Sequence, residues 1–252
     1  MIASGAHAER GLWREGMARP DFVFLDAGGT LIRTPRLEEI IARACARQGE
    51  WVQPEALREA VGRALDRMSP PRPTSLDLRA YRQWWWQFVR LALGEAGFCG
   101  DPERVAERLW EEYRSGRWLQ LFPDTLEALE RFRVAGCRLG VLSNWDDTLE
   151  TFLVQLGIRD YFECVVSSYR AGVEKPDPEI FAYALRLVGV EAARAWHIGD
   201  DLVFDYLGAL TAGVRPVLVD YAGRLAEAVM DVECPVVRTL TEAAQVILAD
   251  GP

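Results

Sequence analysis

The chain has 252 residues, half of them apolar, and a net charge of -9. That length and apolar content allow a packed core and exclude a largely disordered chain, and the acidic balance argues against a nucleic-acid partner, whose phosphates attract Lys and Arg. No apolar run is long enough to span a bilayer, residues 1–20 lack the apolar stretch of a secretory signal, and five scattered cysteines without a Cys-x-x-Cys pair fit reduced thiols in a cytoplasm.

Residues 1–20 are polar and weakly patterned, so a flexible leader is expected there, with Met17 as an alternative start. The first strong element is Phe22–Leu25, a continuous apolar run closed by Asp26-Ala27-Gly28-Gly29-Thr30. Such a run reads as a strand buried on both faces. Between about 36 and 118 the pattern is helical. Leu37, Ile40, Ile41, Ala44 and Cys45 share one face, and Ala56, Leu57, Ala60, Val61 and Leu65 share another. Prolines at 70, 71 and 73 end the second helix, and two more helices are expected over 78–96 and 102–113. The triplet Trp84-Trp85-Trp86 cannot share one narrow face at about 100° per residue. At least one of the three is expected to face something besides the local core.

Strands and helices then alternate. Asp124 followed by Glu127 resembles a capping box opening a helix to about 135. Strands are expected at 137–142, 163–167, 194–198, 216–219 and 235–237, with helices at 147–156, 178–188 and 202–212. This alternation predicts an α/β fold with a parallel sheet.

Ligands bind beyond the carboxyl ends of strands in such sheets. Asp26 and Thr30, Ser143 and Asn144, and Asp200 and Asp201 all follow strands, and Lys175 precedes a helix of the same sheet. Lys175 is the only lysine in an arginine-rich chain, which suggests a site requiring a compact ammonium. Together these residues form a phosphoryl-transfer set. Asp26 can be a nucleophile, Asp26 and Asp200 offer hard oxygens to Mg²⁺, Thr30 and Ser143 offer hydroxyls to phosphoryl oxygens, and Lys175 offsets developing charge. Taken singly, Asp26 in a glycine turn is also a plain Asx-turn. His197 reads as a satisfied core imidazole. With His7 as the other histidine, a His-based zinc site or a Ser-His-Asp triad has little material.

Four segments carry a family resemblance: Phe22–Leu31 (FVFLDAGGTL), Leu139–Asp146 (LGVLSNWD), Val173–Phe181 (VEKPDPEIF) and His197–Gly213 (HIGDDLVFDYLGALTAG). In this order they resemble the haloacid dehalogenase (HAD) superfamily. Ser143-Asn144-Trp145-Asp146 and the Trp-rich helices resemble its REG-2-like (HDHD3-like) branch of subfamily IA. The resemblance implies a Rossmann-like core over 21–35 and 119–252, a helical C1 cap over 36–118, and a Mg²⁺-dependent phosphatase that forms an aspartyl phosphate on a small phosphorylated metabolite. Its implied roles are Asp26, Thr30, Ser143 and Lys175 in catalysis, and Thr30, Ser143, Asn144 and Lys175 around the phosphate. The implied metal site is Asp26, the Gly28 carbonyl and Asp200, with Asp201 and Asp205 behind it; Asp205 could instead be a surface charge.

One departure stands out. Phosphatases of this superfamily usually carry a second Asp two residues after the nucleophile, as general acid/base, and that position is Gly28 here. Asp146, Asp147 and Asp201 are nearby replacements, though helix-capping or surface roles suit each. A catalytically impaired HAD-like protein that binds a phosphate ligand or a protein partner is therefore an alternative. A 2-haloacid dehalogenase is a further one: such enzymes also lack the second Asp, but they need no metal, and the Tyr typical of their third motif is Phe181 here. A phosphonoacetaldehyde hydrolase needs a cap lysine that this chain lacks. The sequence sets neither the substrate nor the oligomeric state.

Overall fold

Residues 20–68, 74, 76–223, 225 and 232–249 are described in a computed structural model. The expected leader, the alternative start at Met17, His7 and the proline cluster 69–73 lie outside the described residues.

The sheet is built on β1 (Phe22–Leu25), whose four side chains are all buried, as its unbroken apolar run requires. A two-residue β2 (Ile32–Arg33) follows, then four helices: α1 (Leu37–Ala46), α2 (Pro54–Arg67), α3 (Leu78–Glu95) and α4 (Pro102–Arg114). The chain returns through β3 (Gln120–Leu121), which pairs antiparallel with β2. Alternation then begins: α5 (Thr125–Val134), β4 (Leu139–Ser143), α6 (Leu149–Gln155), β5 (Cys164–Ser167), α7 (Ser168–Ala171), α8 (Pro178–Val188), β6 (Ala195–Gly199), a π-helical turn at Leu202–Leu207 running into α9 (Gly208–Thr211), β7 (Arg215–Val219), β8 (Val236–Val237) and α10 (Leu240–Ala249).

Six strands form one parallel sheet in the order β5-β4-β1-β6-β7-β8, a Rossmann-like α/β arrangement. Apolar clusters cover both faces. Phe132, Phe152 and Ile247 belong to one cluster, and Phe22, Phe24, Phe181 and Leu185 to the other. β4, β1 and β6 are adjacent, so the three polar strand ends found in the sequence meet at one edge of the sheet.

The four helices between β2 and β3 share a cluster of their own, including Ile41, Leu57, Phe88, Leu93 and Leu109. The short β2–β3 ribbon carries both chain crossings into and out of this bundle; two-residue strands are too brief for a periodic signal. On α2, Ala64 is buried and Leu65 is 48% exposed, one position off the expected face. All three tryptophans of the triplet pack against the bundle's cluster. Trp84 stacks on Phe88 with centroids 5.4 Å apart, while Trp86 lies at the edge beneath the Arg82 guanidinium, 4.6 Å from its ring centre.

The expected capping box at α5 does not form. Asp124 makes no side-chain cap on that helix. Its carboxylate instead accepts from Tyr221 Oη at 2.9 Å and from Thr241 N, in the first turn of α10, at 3.0 Å. The five cysteines are all free thiols. Among the described residues no helix is long and apolar enough to cross a membrane.

Candidate active site

The chain leaves β1 into a tight loop in which Leu31 N and Ile32 N both donate to Ala27 O, at 3.0 and 2.8 Å. Asp26 N donates to Ile198 O at 2.8 Å, so the acid is held in register with the neighbouring strand. Gly29 has φ +83°, and a Cβ there would lie 2.2 Å from Asp200 Oδ2. Both facts require glycine, and the second shows that the Asp200 carboxylate rests against this loop.

Lys175 reaches the same point from the β5–α8 connection. Asn144 holds its peptide at both ends: Nδ2 donates to Lys175 O at 2.8 Å, and Lys175 N donates to Oδ1 at 2.7 Å. The ammonium is 1% exposed and donates to Asp26 Oδ1 at 2.6 Å, Asp205 Oδ1 at 2.5 Å and Leu142 O at 3.1 Å. All three donors are thereby used. Asp26 Oδ2 takes no hydrogen bond among the described residues.

Asp205 comes from the π-helical turn, where Tyr206 N bonds to Asp201 O at 3.0 Å. Asp201 starts that turn by accepting from Val203 N and Phe204 N at 2.7 and 2.8 Å, which is the capping role foreseen as an alternative. The widened turn brings Asp205 inward. It is 2% exposed, so the surface-charge alternative does not hold. Its Oδ2 accepts from the Asp200 and Asp201 N–H groups, and its Oδ1 also meets His197 Nε2 at 2.8 Å. A Cβ on Gly199 would lie 2.1 Å from Asp205 Cγ, so glycine makes room for this carboxylate. His197 is wholly buried, and Nδ1 has no partner, so the imidazole is satisfied on one side only.

The electrostatics follow from burial and charge count. Burial alone would raise the Asp205 carboxyl, but the Lys175 charge and the His197 hydrogen bond hold it well below the usual carboxylate range. Burial would depress the Lys175 ammonium, yet the charges of Asp205 and Asp26 keep it above its ordinary value. Burial lowers His197, against the pull of Asp205, so the neutral ring donates Nε2–H. Burial also raises Asp26, with Lys175 opposing. Asp200 has no ion-pair partner among the described residues. Burial, then the charges of Asp26 and Asp205, push it up to about 8.

Oxygens of Asp26, Asp200 and Asp205 lie within 4.8 Å of one another. Asp205 is fully engaged by four donors, whereas Asp26 Oδ2 and the Asp200 carboxylate are not. Two ligands of one Mg²⁺ at about 2.1 Å each stand up to about 4.2 Å apart, so these two carboxylates fit that ion with small adjustment. Their unbalanced charge favours it.

A cavity of about 500 Å³ opens above these groups, lined by Asp26, Gly28, Ser143, Asn144, Lys175 and Asp200 at its base. Thr30 is absent from that lining. It is wholly buried within the loop, and its hydroxyl has no partner, so the structure does not put it on the cavity surface. The Asn144 amide is occupied by the Lys175 peptide. Its part is to position the lysine.

Four aromatic residues that sequence reasoning gave no role also line the cavity: Tyr81 on α3, Tyr113 on α4, Trp145 after β4 and Phe204 in the π-helical turn. Tyr113 Oη donates to Asp146 Oδ2 at 2.9 Å, and Arg114 pairs with Asp147 at 2.5 and 3.2 Å. Thus two of the candidate replacement acids, Asp146 and Asp147, bind α4. Gly28 faces Trp145 directly, since a Cβ on Gly28 would sit 3.2 Å from Cζ3. A side chain at this position would press on the indole, which would have to shift by a few tenths of an ångström. No sequence pattern signals these contacts, because each joins residues far apart in the chain.

The model of the haloacid dehalogenase-like hydrolases matches residues 20–213. The chain belongs to this family. It is 35% identical over 201 residues to haloacid dehalogenase-like hydrolase domain-containing protein 3 of Homo sapiens, covering 77% of this chain and 79% of that protein. It is 35% identical to a phosphoserine phosphatase of Thermus thermophilus, over 64% of this chain and 66% of that one. Among solved structures it resembles a 2-haloacid dehalogenase of Pseudomonas syringae pv. Tomato DC3000, with a TM-score of 0.59, 28% identity and coverage of 92% and 99%. The haloacid dehalogenase-like hydrolase family, and its REG-2-like branch, therefore agree with the four sequence motifs.

Proposed function

We propose that this hydrolase is a Mg²⁺-dependent phosphatase acting through an aspartyl phosphate at Asp26 on a small phosphorylated metabolite. Segments 21–35 and 119–252 form the catalytic core in this reading, and 36–118 form the helical C1 cap. The observation that carries it is the Asp26 carboxylate, pinned through Oδ1 by Lys175 with Oδ2 unbonded among the described residues and Asp200 beside it. The 35% identical relative named as a phosphoserine phosphatase supports the same chemistry.

Asp26, the Gly28 carbonyl and Asp200 would hold Mg²⁺, which when bound shares the charge of the phosphoryl oxygens. The Asp26 carboxylate oxygen that is not on the metal attacks phosphorus, the ester P–O bond breaks, and its electron pair leaves on the alcohol oxygen, which takes a proton from solvent. Water then attacks phosphorus and gives a proton to solvent, the bond to Asp26 breaks, and the carboxylate is regenerated; ester plus water has become alcohol plus phosphate. Ser143, at the end of β4, holds a phosphoryl oxygen. Lys175 fixes the nucleophile and offsets its charge, and Asp205 with Asn144 fixes Lys175.

Asp26→Asn is expected to lower phosphatase turnover by at least about 10³-fold, because an amide is a poor nucleophile. Chelation is expected to abolish turnover, and added Mg²⁺ to restore it. Full activity of Asp26→Asn with metal bound would remove the nucleophile assignment.

The impaired-protein reading has one observation in its favour: residue 28 has no side chain, and even a Cβ there would press on Trp145. It predicts phosphate and Mg²⁺ binding with no turnover of any ester. The dehalogenase reading needs no metal, and leaves the Asp200 carboxylate, which has no ion-pair partner among the described residues, without a function. It predicts halide release that survives chelation.

A further inference from the structure

Resting on the phosphatase reading, we propose that the leaving group is an aromatic ring, neutral or cationic: the substrate class is an aryl phosphate without a second anionic group. Two independent features of the cavity point there.

The first is its wall. Tyr81, Tyr113, Trp145 and Phe204 come from four separate segments and line one cavity with the phosphate-facing base. Aromatic side chains clustered in a cavity of this size favour a flat apolar group, through burial and ring–ring contact. Phe204 is 43% exposed and Trp145 is partly buried, so apolar ring surface remains to be covered by a ligand. The wall's charges are of one sign. Asp146, Glu174 and Asp201 line it, and the single cation among the described lining residues is Lys175, whose donors are already used. A carboxylate or second phosphate on the leaving group would meet these acids with no free cation among the described lining residues to receive it. The aromatic faces would also receive a ring-borne ammonium.

The second feature is the missing proton donor. Gly28 has no side chain, and a Cβ there would lie 3.2 Å from the Trp145 ring. The leaving oxygen must depart with its electron pair and take a proton from solvent afterwards. A phenolate, with a conjugate acid near pKa ~10, does so far more readily than an alkoxide. Thus the wall that would recognise a ring and the absence of an acid that would activate an alcohol select the same group.

The test is made on binding first, so that it does not depend on turnover. Calorimetric titration of the Mg²⁺-loaded protein would compare phenylphosphonate, methylphosphonate and 3-carboxyphenylphosphonate, none of which can be hydrolysed to release a ring. Phenylphosphonate is expected to bind at least tenfold tighter than either of the others. Tyr81→Ala and Phe204→Ala are each expected to reduce the phenyl-over-methyl ratio severalfold. Equal binding of phenyl and methyl compounds, or tighter binding of the carboxylated ring, overturns the proposal; so does a ratio unmoved by both variants. Turnover of phenyl phosphate and acetyl phosphate then separates this proposal from the phosphatase reading. Ring-selective binding without hydrolysis of either ester upholds the aromatic site and removes the phosphatase. Hydrolysis of acetyl phosphate without ring selectivity upholds the phosphatase and removes the aromatic site.

Discussion

Gly28 and Trp145 act as a pair. The distance of 3.2 Å between a Cβ at position 28 and the Trp145 ring is tight for one atom, so any side chain there requires the ring to shift. Trp145 is itself held, with Nε1 donating to Thr148 Oγ1 at 3.1 Å and its ring edge-on to Phe152 at 6.2 Å. Gly28→Asp alone is therefore expected to leave alkyl phosphate turnover low, because the new acid cannot settle beside the leaving group. General acid–base help is worth roughly 10²–10⁴ in rate where it operates. Gly28→Asp combined with Trp145→Ala is expected to raise kcat for an alkyl phosphate at least about tenfold over Trp145→Ala alone. Steady-state kinetics on both backgrounds, with circular dichroism to verify the fold, measure this; equal kcat values in the two Trp145→Ala proteins would refute it.

At the scale of elements, Asp124 shows how a local motif is overridden. Its position before α5 and the Glu127 that follows suit a cap. The Tyr221 hydroxyl and the first turn of α10 compete for the same carboxylate and win, drawing it to a helix more than a hundred residues away in the chain. Phe122 stacks flat on Tyr221 at 3.8 Å and reinforces the contact. Asp124→Ala would remove one of two N-terminal acceptors of α10, leaving Thr239 Oγ1 on Glu242 N, and leave the Tyr221 hydroxyl without this partner. Loss of such a cap is worth about 1–2 kcal/mol, so the urea midpoint should fall accordingly while kcat stays near wild type. A midpoint unchanged within error would show that the capping bond contributes nothing.

In the whole molecule, two apolar interiors meet over a polar site. The sheet's clusters and the helical bundle's cluster have separate memberships. Polar contacts across the cavity join them: Tyr113 to Asp146, and Arg114 to Asp147. A half-exposed ion pair such as Arg114–Asp147 stabilises by about 0–1 kcal/mol. It also ties α4, which carries the cavity residue Tyr113, to the loop after β4. Arg114→Ala is accordingly expected to change unfolding stability by less than about 1 kcal/mol but to raise KM severalfold. A loss of stability well above that, with KM unmoved, would mean that the pair serves folding and not the cavity.

The sequence by itself determined the α/β alternation, the parallel sheet and the polar strand ends, because buried strands need unbroken apolar runs and a parallel sheet puts their carboxyl ends along one edge. Asp26, Ser143, Lys175 and Asp200 were legible for that reason, and Lys175 also because no other lysine exists in the chain. Tertiary structure alone decided which of these groups are free. Asn144 and Lys175 are consumed by bonds inside the protein, Thr30 is sealed beneath its loop, and Asp205 is buried by four donors supplied from three segments. It also decided the wall of the cavity, where Tyr81, Tyr113, Trp145 and Phe204 converge from positions with no common period. A strand or helix advertises its buried face through spacing along the chain, whereas a cavity is lined by whatever the packing of distant elements leaves uncovered.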